Sequence, residues 1–205
     1  MIEYTGSGIL YALVQAIICL CVIVLFLAVF IDFAMYSGAK KVQKEKKSIV
    51  ETGTMTLFFF IFYLILRSEI GRLVLSSGSI KDLLMIVGTL MIISGCIINV
   101  KGRFNLGKNW ANQIKIYQEQ SLVQAGMYKI VRHPLYASII LMFYGACLVY
   151  RNFVALLSVS LIFIPFMYYR ARQEELLLTQ RFPQYEEYRQ NTGMFFPKIR
   201  IRRQE

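Results

Sequence analysis

The chain has 205 residues, 57% of them hydrophobic, with a mean hydropathy of +0.52, and Lys+Arg 23 against Asp+Glu 12 leave a net charge of +11. Soluble chains sit near ~45–50% apolar, so this one excludes disorder, and four cysteines spread over such a length exclude a secreted disulfide scaffold. Basic charge on so apolar a chain points to anionic lipid headgroups and not to nucleic acid, so it reads as an all-α integral membrane protein.

Taken in chain order, Ile9 to Ile31 holds no charge and no proline, and its 23 residues predict a helix of roughly 34 Å, enough to cross a bilayer. The preceding segment carries Glu3 and no Lys or Arg, and the run exceeds a signal-peptide core, so it reads as a retained span. A second apolar run, Thr54 to Leu66, is only 13 residues long. It must borrow either from Ile49 to Gly53, which includes Glu51, or from Ser68 to Leu75, which includes Glu69 and Arg72. Leu83 to Val100 predicts a third span. Pro134 to Tyr150 and Asn152 to Tyr169, parted by Arg151, predict a tight hairpin as spans four and five. Pro165 frees the carbonyl of Leu161 and predicts a kink.

Five spans can be checked against the positive-inside rule. The first loop, third loop and C-terminal tail together hold 19 of the 23 Lys and Arg, while the N-terminus, second loop and fourth loop hold 4. A wrong number of spans would scramble that division. The N-terminus is therefore expected outside, with the third loop and tail cytoplasmic. Cys19, Cys21, Cys96 and Cys147 fall inside spans, without CxxC spacing or histidine neighbours, so no metal site is expected. Spans one, three, four and five lack ionisable groups, which argues against a transporter. Polar residues instead collect in Lys101 to Arg132 and Arg170 to Glu205.

His133, the chain's one histidine, precedes Pro134 at the predicted start of span four, where free backbone N–H groups and the positive dipole end accept polar or anionic ligand groups. By position alone, Arg132 and His133 read equally as interfacial anchors. Beyond span five the helix should run on to Phe182-Pro183, placing Arg170 and Glu174 at i,i+4 on one face. A short helix carrying Tyr185 and Tyr188 should then end near Gly193. These tyrosines and Phe195-Phe196 suit an interfacial aromatic belt better than cofactor stacking.

Leu106-Gly107-x-x-Trp110, Leu122-Val123-x-x-Gly126-x-Tyr128-x-x-x-Arg132-His133-Pro134-x-Tyr136 and Arg170-x-x-x-Glu174-Glu175-x-x-Leu178-x-x-x-Phe182-x-x-Tyr185-x-x-Tyr188, in this order, resemble the isoprenylcysteine carboxyl methyltransferase family. Membrane phospholipid methyltransferases look similar across the same segments. The resemblance covers roughly the C-terminal half, dividing the chain into three N-terminal spans (1–100) and a methyltransferase core (101–205). It implies S-adenosylmethionine-dependent methyl transfer at the cytoplasmic face, yielding S-adenosylhomocysteine, onto a lipid or prenylated acceptor that arrives from the bilayer. Carried over by position, Val123, Gly126, Tyr128, His133, Pro134 and Tyr136 would line the cofactor pocket, with Glu175 closing it from the tail helix. Arg170 and Glu174 would stand nearest the acceptor as the catalytic pair. The family usually has glycine after the phenylalanine at 182, and Pro183 stands here. A prenylcysteine carboxylate needs no general base, whereas a phospholipid amine would make Glu174 the candidate base. An NADPH-dependent membrane reductase and a non-catalytic membrane subunit are the other readings.

Overall fold

The computed structural model describes residues 3–36, 42–45, 49–68, 70–109, 115–117 and 121–198. Trp110 of the first motif and Lys40, Lys41, Lys46 and Lys47 of the basic first loop lie outside them. The helices are α1 (Glu3–Tyr36), α2 (Ile49–Ser68), α3 (Gly78–Leu106), α4 (Met127–Ile130), α5 (Pro134–Tyr150), α6 (Phe153–Ser158), α7 (Ile164–Arg181) and α8 (Tyr185–Asn191). One departure from an all-helical chain is a short antiparallel ribbon, β1 (Val42–Glu45) against β2 (Lys115–Tyr117). Among the described residues, three helical stretches are long and apolar enough to cross a membrane: Gly8–Met35, Gly78–Asn109 and Phe153–Arg181. Gly53–Ser68 and Pro134–Tyr150 are apolar but shorter. Large side chains such as Phe26 and Phe30 of α1 and Tyr63 of α2 are exposed, as lipid-facing surface requires and water would penalise.

The ambiguous second helix takes the N-terminal option: it begins at Ile49 and ends at Ser68. Gly71, at φ +77, turns the chain just beyond, and a Cβ there would lie 2.3 Å from Val154 Cγ2. Ser77 then caps α3 by accepting from the Ile80 N–H at 3.4 Å. At the same end of the molecule the α5–α6 turn closes against this loop. Leu73 N–H donates to Arg151 O at 2.8 Å, and Asn152 caps α6 through the Ala155 N–H at 2.8 Å.

The closest helix pair is α3 with α5. Gly88, Gly95 and Gly102 recur at sevens along α3, placing one bare stripe toward α5. A Cβ at Gly88 would stand 2.5 Å from Gly145 O, and one at Gly95 2.8 Å from Ser138 O, so backbone meets backbone. On the other side of α3, Val14 and Cys21 of α1 pack with Met85, Ile92 and Cys96. The remaining core is aromatic: Phe58 and Phe62 of α2 meet Phe143 of α5 and Phe163 before α7. The turn preceding Pro165, Val159–Phe163, widens to π geometry, with the Ile164 N–H reaching back five residues to Val159 O. The helical path then continues through α7 to Arg181, as far as Phe182-Pro183 allows.

Asp32 lies beyond the uncharged run yet remains within α1, buried. It accepts from Arg103 Nη1 at 2.5 Å, Arg103 Nε donates to Asn99 Oδ1 at 2.8 Å, and Asn99 Nδ2 donates to Ser138 Oγ at 2.8 Å. A buried polar chain thus crosses from α1 through α3 to the first turns of α5. An unpaired aspartate here would be costly, and the arginine and amide satisfy it.

Candidate active site

The site gathers at the start of α5, where the fold brings together the end of α3, the segment 121–133, the polar part of α7 and the segment after α8. Asn105 fixes the approach. Its Oδ1 accepts the Met127 N–H at 2.9 Å, and a Cβ on Gly126, at φ +60, would lie 2.2 Å from that oxygen. Gly126 is therefore demanded by backbone conformation and by the asparagine against it. Asn109 similarly holds Ser121, accepting its N–H at 2.9 Å. Val123 is half-buried on this loop, and Leu122 packs on Phe182, Tyr185 and Tyr188.

Pro134 is fully buried at the first position of α5. The two residues before it are clamped from below: Arg132 N–H donates to Gly193 O at 2.8 Å and His133 N–H to Met194 O at 3.1 Å. Arg132 is not a headgroup anchor. Its side chain turns inward, Nε donating to Glu175 Oε1 at 2.8 Å and Nη1 to Arg189 O at 3.0 Å and to Thr192 O. His133 is buried between two carboxylates, Nε2 lying 3.2 Å from Glu175 Oε1 and Nδ1 3.6 Å from Glu174 Oε2. Burial alone pushes its pKa down, but hydrogen bonding and charge from Glu174 and Glu175 outweigh that, so the imidazole is held above its ordinary value.

On α7 the expected i,i+4 pair is present but bridged. Arg170 Nε and Glu174 Oε1 stand 3.9 Å apart, and Tyr136 of α5 sits between them. Its hydroxyl accepts from Arg170 Nε at 3.0 Å and donates to Glu174 Oε1. The Tyr136 ring stacks on His133, centroids 5.6 Å apart and planes within 3°. Arg170 also turns Nη1 to Met55 Sδ of α2, 2.9 Å away. Arg170 is buried, whereas the Glu174 side chain keeps 27% of its surface exposed, the opening of the cluster.

Tyr128 is buried beside the same charges. Burial first, then the charges of Glu174, Tyr188 and Asp32, push its phenol up, and Arg103 acts the other way. Tyr185 and Tyr188 are not a membrane-interface belt: both are buried with Phe182, and the Tyr188 hydroxyl donates to Tyr128 O. Phe195 meets His133 edge-on at 6.2 Å, and only Phe196 is open to its surroundings. Two buried polar atoms of the cluster make no hydrogen bond among the described residues, Glu175 Oε2 and Tyr185 OH. Arg172 Nη1 approaches Glu175 Oε2 to 3.5 Å. A carboxylate oxygen and a phenol left without hydrogen bonds inside a buried charge cluster suit the hydroxyl and amino groups of a polar ligand.

Of the residues expected from sequence, Tyr128, His133, Pro134, Tyr136, Arg170, Glu174 and Glu175 thus converge on one cluster, while Gly126 and Val123 shape the loop leading into it. Sequence reasoning missed Met55, Asp32, Asn99, Arg103 and Asn105. Asn105 sits one residue before the Leu106-Gly107 motif, a position that a glycine at 126 with an asparagine partner makes intelligible only once the fold is known.

The isoprenylcysteine carboxyl methyltransferase (ICMT) family profile matches residues 86–180, from the middle of α3 to the end of α7. The "Probable protein-S-isoprenylcysteine O-methyltransferase" of Oryza sativa subsp. indica is 29% identical over 116 residues, covering 55% of this chain and 61% of that protein. "Protein-S-isoprenylcysteine O-methyltransferase B" of Arabidopsis thaliana is 32% identical over 115 residues, 55% of this chain and 58% of its own length. "Cobalt-zinc-cadmium resistance protein CzcN" of Cupriavidus metallidurans is 27% identical over 136 residues, 66% of this chain and 55% of that one. In each case the match spans less than two thirds of the relative's length.

Proposed function

We propose that the chain, whose residues 86–180 match the isoprenylcysteine carboxyl methyltransferase family profile, is an integral membrane S-adenosylmethionine-dependent methyltransferase. Its acceptor is a lipid-linked carboxylate of the isoprenylcysteine type, met at the cytoplasmic face of a five-span protein whose N-terminus is outside. The observation that carries this reading is the Arg170–Tyr136–Glu174 bridge standing against the His133–Glu175–Arg132 cluster. One half is built to orient an anion, and the other retains buried polar atoms without hydrogen bonds, Glu175 Oε2 and Tyr185 OH, suited to a nucleoside and an amino acid.

When bound, S-adenosylmethionine supplies an activated methyl group: its carbon–sulfur bond breaks as a carbon–oxygen bond to the acceptor forms, leaving S-adenosylhomocysteine and a methyl ester. Glu175 Oε2 and Tyr185 OH would take its hydroxyl and amino groups, with His133 and Tyr128 as polar and aromatic walls, and Val123, Gly126 and Pro134 shaping the pocket backbone. Aromatic faces such as Tyr136 attract a sulfonium cation. The residues have little proton chemistry to perform, because a carboxylate is ionised at neutral pH. Arg170 orients it, Tyr136 holds the guanidinium plane, and Glu174 anchors Tyr136 from the α7 side. The work is positioning and exclusion of water.

The test is calorimetric titration of S-adenosylmethionine and S-adenosylhomocysteine into the purified protein, followed by radiolabelled methyl transfer onto prenylcysteines and phospholipid amines side by side. Micromolar binding with transfer onto the prenylcysteine carboxylate is expected. Monodisperse protein that binds neither compound overturns the reading and makes NADPH the next ligand to try.

A further inference from the structure

Arg170 comes from α7 and its phenol partner from α5, but its outer edge faces a third helix. The Met55 thioether lies 2.9 Å from Nη1, although thioether sulfur is a weak acceptor for a guanidinium. Met55 is half-buried at the cytoplasmic end of the α2 aromatic face, one turn before Phe58 and Phe59. Phe58 closes the α2 seam deeper in, against Phe143 at 5.6 Å and Phe163 at 4.8 Å. Phe59, on the same face as Met55, and Tyr169, next to Arg170, remain about half exposed. Met55 thus borders Arg170 on the face of α2 that also carries the exposed Phe59.

Building on the proposed carboxyl methylation, we propose that Met55 is a specificity-determining residue whose thioether occupies the acceptor carboxylate's place on Arg170 and yields it when the acceptor docks. The exchange is favourable in direction: charge-assisted bonds from arginine to carboxylate are roughly twice as strong as bonds to neutral acceptors. It is also easy, because methionine is unbranched with three rotatable bonds and swings within a packed wall. The acceptor's apolar chain then leaves across Phe59 and Tyr169 into the bilayer. On this account α2, which lies outside the family match at 86–180, sets which headgroups reach the arginine.

The experiment uses the full chain with Met55→Leu, Met55→Gln and Met55→Glu, an N-acetylated S-prenylcysteine as the free acid, and the same compound as its carboxamide. Calorimetry of S-adenosylhomocysteine reports the cofactor site, and KM the acceptor site. Met55→Glu, a tethered carboxylate on Arg170, should raise the free acid's KM by at least about tenfold while S-adenosylhomocysteine affinity stays within about twofold. Met55→Leu, without an acceptor sulfur, should lower that KM by about two- to fivefold and leave the inhibition constant of the carboxamide, which is not methylated, unaffected, with Met55→Gln between the two. Unchanged acceptor KM in all three variants of an enzyme active on the free acid overturns the role of Met55 alone. Transfer by the unmodified chain to phospholipid amines and not to the free acid overturns the carboxylate reading, and this one with it.

Discussion

Two seams of this molecule are built on opposite principles. Between α3 and α5 the side chains are stripped away, and Gly88 and Gly145 let carbonyls press on the facing helix. Between α2 and its neighbours the packing is by side chains, Met55, Phe58 and Phe62 against Phe143 and Phe163. Backbone-to-backbone contact leaves nothing to rotate, whereas rings and thioethers can change rotamer. The rigid seam carries the start of α5, and so His133 and Tyr136; the adaptable one borders Arg170. The proposed bisubstrate site would gain from that division, since one ligand needs a fixed frame and the other has a variable lipid tail.

The comparison can be broken at Arg170, where the largest effect is expected. Arg170→Ala should reduce turnover by about 10²- to 10³-fold, as for loss of a charge-stabilising donor. Its S-adenosylhomocysteine affinity should stay within about twofold, because the residue belongs to the acceptor side. His133→Ala, on the rigid side, should weaken cofactor affinity by about tenfold or more, as supporting residues of a site do. Equal losses of affinity in the two variants would abolish the division. Tyr136→Phe, which removes the bridge but keeps the ring on His133, should lower turnover without weakening the cofactor, measured by the same pair of assays.

Gly88→Val tests the rigid seam itself. The added carbons meet Gly145 O and Val149, so a loss of about 1–3 kcal/mol is expected in thermal unfolding. Phe62→Leu on the adaptable seam should cost less than about 1.5 kcal/mol, being closer to a tolerated apolar exchange.

A pH series sharpens the picture at His133. Its native pKa lies above the ordinary 6.5, so its ion pairing with Glu174 and Glu175 stabilises fully below 6.5 and is lost as pH rises through the raised value. The melting temperature of the unmodified chain should therefore fall across that window, and His133→Gln should flatten the dependence. The smallest effect belongs to Glu186→Gln, whose pairing with Arg189 at 2.8 Å is exposed to solvent, and which should leave melting and turnover unchanged.

What was legible in the sequence follows from what periodicity and local spacing can carry. Arg170 and Glu174 are a turn apart, and helix geometry alone puts them on one face. His133 before Pro134 marks a helix start by the rules of backbone hydrogen bonding. Arg132 misleads because a basic residue flanking a span looks the same whether it snorkels or, as here, turns inward to Glu175 and two carbonyls. Tyr185 and Tyr188 mislead for the same reason, amphipathic rings near a membrane being equally suited to a belt or a small core. The length of α2 was beyond hydropathy, since it is decided by the turn at Gly71 and not by the apolar count. Met55 and Asp32 depend on contacts across 115 and 71 positions, which no local pattern records.

The clamp of Gly193 and Met194 beneath Arg132 and His133 also sets a timetable. In synthesis, every element of the acceptor side up to Glu174 is made before residue 193, yet the histidine's backbone remains without its partners until then. The nascent chain can thus enter the bilayer and close the α3–α5 seam before the segment that holds His133 is in place. The cluster around His133 is completed only after the ribosome has passed the turn that follows α8, so membrane insertion precedes its closure.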